Sequence, residues 1–392
     1  MIDRLKKLTF WQWVFAAVMA AGAYATFVRF FYGLGASTNL NDQFPWGIWV
    51  GFDVLCGVAL AAGGFTLAAA VHLFNIKRYK PIARPAILTA YLGYLLVVVA
   101  LMFDLGRPYR IWHPMIMWNP RSVMFEVGWC VTLYTTVLTL EFLPLVLERL
   151  RLRTPLKWMH SMMVPLVIAG CILSTLHQSS LGSVYLIMEG KLHALWYTSM
   201  LPVMFFASAV CVGLAMTIFE GWHSAKAFGR PLELPLMQGL ARVLAVAVST
   251  YLTLRFLDLL HRGALPLLSE PSTETYLFML EILLLALPAL LLFRAHVRAN
   301  PKALYACAVM VVFGVVTNRL NVSVTGMERA AGVSYLPRWT EVAVTLAIVA
   351  AAFAIFRLAA RHLPVFEDSE HEEEETPAPA LAPYEHAAAQ GD

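Results

Sequence analysis

Ten apolar runs, most of them at or above the ~20 residues that an α-helix needs to cross a bilayer, divide this chain and leave few folds open to it. They lie near residues 9–31, 46–74, 85–104, 122–147, 156–177, 196–219, 237–260, 274–297, 302–322 and 340–362. The hydrocarbon core offers no water to backbone N–H and C=O groups, so each run must satisfy them within its own segment, as a helix. Barrel strands would be half as long and would alternate in polarity. The expected fold is therefore all-α and integral to the membrane, with about ten transmembrane helices, numbered here in chain order. Composition agrees, since 59% of the 392 residues are hydrophobic and only 14% charged.

Lysine and arginine favour one side of this arrangement. Eighteen fall at the N-terminus, around the loops after helices 2, 4, 6 and 8, and at the C-terminal flank; eight fall around the loops after helices 3, 5, 7 and 9. Cationic loops stay in the cytoplasm, which places both termini there. Lys6, Lys7 and Ala23-Tyr24-Ala25 can also be read as a cleaved signal peptide. The apolar run continues through Phe27, Val28, Phe30 and Phe31, however, and favours a retained first helix. Residues 1–366 form the predicted membrane domain. From Glu367 to Asp392 the chain holds nine acidic residues and no lysine or arginine, and is expected to be a disordered cytoplasmic tail. Without it the net charge is +13 rather than +4.

The cysteines narrow the chemistry. Cys56, Cys130, Cys171, Cys211 and Cys307 all fall inside predicted spans and never pair as Cys-x-x-Cys, whereas an iron–sulfur cluster needs several thiolates at close spacing. No P-loop or dinucleotide-binding glycine pattern is present. Electrons for any redox reaction are expected to come from a partner subunit, and no nucleic-acid partner is expected.

An ionisable residue inside a span is costly in hydrocarbon and is a functional candidate for that reason. Asp53, Asp104, Glu126, His177, Arg255, Asp258, His261, Glu281, Arg319 and Glu341 map to the outer third of the membrane; His72, Glu141, His160 and Glu220 map toward the cytoplasm. The outer layer shows a weak repeat. Helix 3 ends Phe103-Asp104-Leu105-Gly106-Arg107 and helix 7 ends Leu257-Asp258-Leu259-Leu260-His261-Arg262, and the next helix opens on a glutamate, Glu126 after 22 residues and Glu281 after 23. Helices 2–5 and 6–9 are thus expected to form two related four-helix bundles of the same orientation, flanked by helices 1 and 10. Chance recurrence of charge at helix ends is the alternative.

Four strings are more specific: FYGLG (Phe31 to Gly35), FPWGIW (Phe44 to Trp49), DLGRP (Asp104 to Pro108) and HQSSLGS (His177 to Ser183). In this order, over roughly Phe27 to Pro364, they resemble the NrfD/polysulfide-reductase membrane family, and within it the HybB-type membrane subunit of hydrogenase-2 nickel–iron hydrogenases. DLGRP is the form general to the broad family, whereas HybB-type subunits carry a different residue after the arginine. The resemblance implies a bacterial inner-membrane subunit with no haem or iron–sulfur cluster of its own. It would bind menaquinone or ubiquinone near the outer face and receive electrons from a periplasmic ferredoxin-like iron–sulfur subunit, in a complex with the large and small subunits of a nickel–iron hydrogenase.

Two-electron quinone reduction needs two protons, hence a titratable donor and a polar anchor. His177 is the first candidate, because an imidazole titrates near neutrality and hydrogen-bonds a carbonyl; a histidine merely satisfied at a helix end is the bland alternative. Glu126 and Asp104 follow as proton carriers, or as structural ion pairs with Arg107 or Arg255, and Ser180 lies in the same string as His177. Arg107, Asp53, Arg255, Asp258 and Glu281 are read as a supporting polar layer. Arg255, Asp258 and either His261 or Arg262 are spaced to pair on one helical face, mainly as a salt-bridged strut. Glu141, His160, Glu220 and His72 would line a proton route to the cytoplasm. Tyr109, Trp112 and Trp118, in the loop 108–120, suit either an interfacial belt or docking of the electron donor. No metal site is expected in this chain. Competing readings are a haem b cytochrome, using His72 with His160 or His177 with His261, a secondary transporter, a passive anchor, and the quinone-reactive subunit of a different molybdenum or iron–sulfur enzyme of the same family.

Overall fold

The computed structural model describes residues 9–366. The acidic tail, Lys6 and Lys7 lie outside the described residues. Among those described the chain is helical, with no β-strand, and ten helices are long and apolar enough to cross a membrane. They are α1 (Phe10–Tyr32), α2 (Trp49–Leu73), α3 (Lys77–Asp104), α4 (Val123–Arg149), α5 (Arg153–Leu186), α6 (Leu201–Phe228), α7 (Leu234–His261), α8 (Thr273–Leu292), α9 (Pro301–Ala331) and α10 (Trp339–His362). The chain is an all-α, multi-pass integral membrane protein.

Neighbours in sequence pack on one another. α3 lies against α2 and α4, α4 against α5, and α5 against both α2 and α6. α6 also packs on α7 and α9, while α8 packs on α7 and α9. α1 and α10 form a pair laid against α3. At the face where α1 begins and α10 ends, called here the terminal face, Arg84 bridges Glu148 at 3.3 Å and donates to the Pro364 carbonyl at 3.1 Å. At the opposite, far face the Arg29 guanidinium of α1 donates to the carbonyls of Phe103 and Leu105, capping the end of α3.

α5 extends nine residues beyond the span expected from hydropathy, so that His177 sits inside the helix rather than at its end. Its polar extension remains helical with the hydroxyls of Ser179 and Ser183 satisfied locally, each donating to the carbonyl four residues back. Gly182 permits the extension to cross the start of α6, where a Cβ would stand 2.6 Å from the Leu201 carbonyl oxygen. α2 departs most from an ideal helix. It is wound as π-helix at Trp49–Cys56 and Ala69–Leu73 and breaks into a turn at residues 61–62. A third π segment, Asn321–Thr325 in α9, packs against the first. Such segments recur at functional sites because they re-aim side chains and release backbone groups.

Candidate functional site

The polar side chains of the membrane interior fall into two clusters. The first lies between α3, α4 and α5. Ser122 caps α4 by accepting from the Phe125 amide at 3.3 Å, which sets Glu126 in the first turn, where a negative charge suits the helix dipole. Glu126 Oε1 accepts from the Ser180 hydroxyl of α5 at 2.5 Å. Glu126 is at the protein surface, whereas Ser180 is buried, so the pair spans from the surface into the interior. One turn deeper, His177 is 0% exposed and neither ring nitrogen has a hydrogen-bond partner among the described residues. Its ring lies 5.6 Å from that of Tyr94, which meets Tyr134 edge-on at 4.6 Å. The hydroxyls of Tyr94, Tyr134 and Ser174 and the amide oxygen of Gln178 are also buried without partners, although the Gln178 amide nitrogen donates to the Val58 carbonyl at 3.0 Å, just before the break in α2.

The second cluster lies among α6–α9. Glu281, 0% exposed, accepts from the Trp196 indole at 3.0 Å and from the amides of Asn318 and Asn321 at 2.8 and 3.0 Å. Arg319 donates to the Asn318 amide oxygen, the Phe205 carbonyl and the Ser208 hydroxyl, and its guanidinium lies 3.7 Å from the Phe205 ring centroid. Arg255 donates to the Leu195 carbonyl at 3.1 Å and lies over Phe278. The expected strut between Arg255 and Asp258 does not form. Asp258 instead pairs with Arg262 at 2.8 Å and accepts from Thr198, because Arg262 stands four residues on and reaches the same rim while Arg255 points into the bundle.

Asp104 lies within electrostatic reach of Arg29 rather than paired with Arg107, which is exposed in the loop beyond α3. Asp53 accepts from Thr345 at 2.8 Å, tying α2 to α10. Glu341 accepts from the Asn39 and Arg338 amides and from the Tyr335 hydroxyl. Burial, with the carboxylate beside it, pushes the Tyr335 phenol above its usual range, which keeps it a donor. Of the candidate proton-route residues, Glu141 is buried within electrostatic reach of Tyr134. Glu220 accepts from Ser224 on its own helix, His72 is half-buried, and His160 is exposed; no hydrogen bond or ring contact joins these three to Glu141 among the described residues. Tyr109, Trp112 and Trp118 are exposed at the far face, and Trp118 packs on Trp129 at 4.8 Å beside the start of α4. The site residues that sequence reasoning missed are Arg29, Tyr94, Tyr134, Ser174, Gln178, Trp196, Ser208, Asn318 and Asn321.

The chain is thus a polytopic helical membrane protein with two buried polar clusters, one largely hydrogen-bonded and one largely not. Residues 36–331 match the model of the polysulphide reductase family, NrfD, and the chain belongs to that family. A protein of Nitratidesulfovibrio vulgaris is 38% identical over 359 residues, covering 89% of this chain and 92% of its own. The probable Ni/Fe-hydrogenase 2 b-type cytochrome subunit of Escherichia coli is 33% identical over 342 residues, covering 86% and 87%. The integral membrane subunit of a menaquinone reductase of N. vulgaris is 30% identical over 397 residues, covering 92% and 93%.

The cytochrome in the second name implies a haem, which is tested by the histidines. A bis-histidine haem needs two rings facing one cavity. His177 is fully buried while its possible partner His261 is exposed, and His72 is half-buried while His160 is exposed. These pairs do not fit the group.

Proposed function

We propose that this chain is the quinone-reactive membrane subunit of an oxidoreductase complex, and that Glu126, Ser180 and His177 form its quinone site. The observation that carries the reading is the His177 ring, wholly buried with both nitrogens unpartnered, one turn behind a carboxylate–hydroxyl pair that reaches the protein surface. Buried polar groups are ordinarily bonded, so an imidazole kept free in a hydrocarbon interior is a group held for a ligand or a proton. The names of the menaquinone reductase and hydrogenase relatives support the same reading. When bound, menaquinone or ubiquinone supplies two-electron chemistry that takes up two protons. His177 would hydrogen-bond a carbonyl oxygen and hold one proton, Glu126 would hold the other, and Ser180 would fix the Glu126 carboxylate. Asp104, Asp53, Arg107, Arg255, Asp258 and Glu281 would set the electrostatics of the layer without touching the ring.

Electrons would arrive from a ferredoxin-like iron–sulfur subunit docked on the far face at Tyr109, Trp112 and Trp118, with a nickel–iron hydrogenase pair as the catalytic partner. On this reading the far face is periplasmic and both termini are cytoplasmic, in a bacterial inner membrane. The α2–α5 and α6–α9 groups would be related bundles. The proton route would enter through Glu141, while Glu220, His160 and His72 would serve the terminal rim. The test is His177→Ala in the purified native complex. Quinone-dependent turnover is expected to fall about a hundredfold or more, with electron delivery to a soluble dye retained. Wild-type quinone turnover would remove His177 from the site. Mass spectrometry of the co-purifying subunits tests the partner: nickel–iron subunits support the hydrogenase reading, and a molybdenum enzyme replaces it.

A further inference from the structure

We infer that Tyr94, Tyr134, Ser174, His177 and Gln178 form an internal water-binding site, and that the water held there relays protons between Glu141 and His177. The relay rests on the quinone reading for its purpose; the water site stands on its own geometry. Six polar atoms of these five residues are buried and without a hydrogen-bond partner among the described residues: both nitrogens of His177, the hydroxyls of Tyr94, Tyr134 and Ser174, and Gln178 Oε1. They converge, since the Tyr94 hydroxyl lies within interaction distance of Ser174 and Gln178, and that of Tyr134 of Ser174, although none of these contacts reaches full hydrogen-bond geometry and the His177 nitrogens have no such contact. Donors and acceptors gathered in this way, buried and without well-aligned bonds to one another, are what an ordered water needs: a polar site with two to four partners.

Helical spacing runs this site toward the terminal face. On α4, Glu126, Tyr134 and Glu141 stand at intervals of eight and seven residues, all close to one helical face, and Glu126 to Glu141 spans about 22 Å at ~1.5 Å per residue. On α5, Gly170, Ser174 and His177 face the same seam. Gly170 keeps the lower end open, since a Cβ there would stand 3.1 Å from Glu141 Oε1. The file therefore runs from Glu141 past Tyr134, Ser174 and Tyr94 to His177. Each member is a carboxyl, hydroxyl, amide or imidazole that carries no fixed cationic charge. The α6–α9 cluster offers no equal route. There two arginines, Arg255 and Arg319, face one carboxylate, Glu281, and fixed positive charge opposes the passage of a proton.

Radiolytic hydroxyl-radical labelling of the intact complex in nanodiscs tests the water directly, because radicals born from a trapped water oxidise the ring beside it. Tyr94 and Tyr134 are expected to be labelled despite their burial, while Trp196, 0% exposed with its indole N–H bonded to Glu281, is expected to stay unlabelled. Labelling of the tyrosines no greater than that of Trp196 would overturn the site. The relay is tested in sealed proteoliposomes by proton uptake from the Glu141 side, with quinone binding measured in parallel. Tyr134→Phe, and independently Glu141→Gln, are expected to slow uptake about tenfold or more with quinone affinity retained. Labelled tyrosines with unslowed uptake in both variants would overturn the relay and leave the quinone reading intact. Wild-type complex that does not reduce quinone at all would overturn that reading and the relay with it, the labelling alone then deciding the water site.

Discussion

Helices α2–α5 and α6–α9 both bury polar side chains among apolar ones, yet treat them in opposite ways. Around Glu281 the carboxylate takes three donors, and Arg319 shares Asn318 with it, so that most of the polar groups are bonded locally, the Nε atoms of Arg255 and Arg319 excepted. Around His177 the groups carry no fixed cationic charge, and most lack a bond. A buried network that is satisfied rigidifies the protein around it; one left incomplete costs stability and is retained where it does something else. On the function proposed above, the first arrangement is structural and the second is the working site. The far face repeats the contrast, with exposed Trp112, Trp118 and Tyr109 on the α3–α4 loop and Glu270, Glu274 and Glu328 around a cavity of about 700 Å³ over α8 and α9.

The strongest way to break this comparison is Glu281→Ala. It leaves Trp196, Asn318 and Asn321 without an acceptor and Arg319 without a counter-charge, and removing one partner of a buried ionic network costs about 3–5 kcal/mol. The variant is expected to be poorly retained as folded protein in detergent, with a markedly lower midpoint of thermal unfolding, whatever its partner subunits do. A midpoint within a degree or two of wild type would mean that this cluster is not the structural one.

A smaller effect is expected at the far face. If the proposed iron–sulfur partner docks there, Trp112→Ala with Trp118→Ala is predicted to weaken its retention, since central interface rings are worth roughly 2 kcal/mol or more each, while the membrane subunit stays folded. Quantifying the partner in washed membranes reads this out. Undiminished retention would make the rings a lipid belt and move the docking surface toward the acidic rim of the other bundle.

The difference between the two bundles is only half legible in the sequence. The ten helices are, because nothing but a helix satisfies an apolar run of that length. So are the ionisable members, Glu126, His177, Glu281 and Glu141, because charge in a span stands out. Tyr94, Tyr134, Ser174 and Gln178 are not, since a tyrosine or serine in an apolar run is commonplace and a serine hydroxyl usually bonds the preceding turn. Trp196, Asn318 and Asn321 are hidden for a similar reason, and the place of Asn321 depends on a π segment that no 3.6-residue periodicity reveals. Arg29 could have been found. It is the lone charged residue of the first span, so it has no counter-charge on its own helix and must seek acceptors on another, which it finds at the end of α3.

The finest test uses one residue type in both bundles. Ser208 of α6 accepts from the Arg319 guanidinium at 2.8 Å, so Ser208→Ala leaves a buried charged donor short of a partner, at a cost of about 1.5–3 kcal/mol. Ser174 of α5 makes no hydrogen bond of full geometry among the described residues, only looser contacts with Tyr94 and Tyr134, so the loss on Ser174→Ala is expected to stay below about 1 kcal/mol. Both side chains are 1% exposed, so differences in solvent access do not enter. Unfolding of the two variants in matched detergent, against wild type, measures the gap. A loss at Ser174 equal to that at Ser208 would mean that its hydroxyl is held as firmly as the other, and the division into a bonded and an unbonded cluster would fail at the residue where it is cleanest.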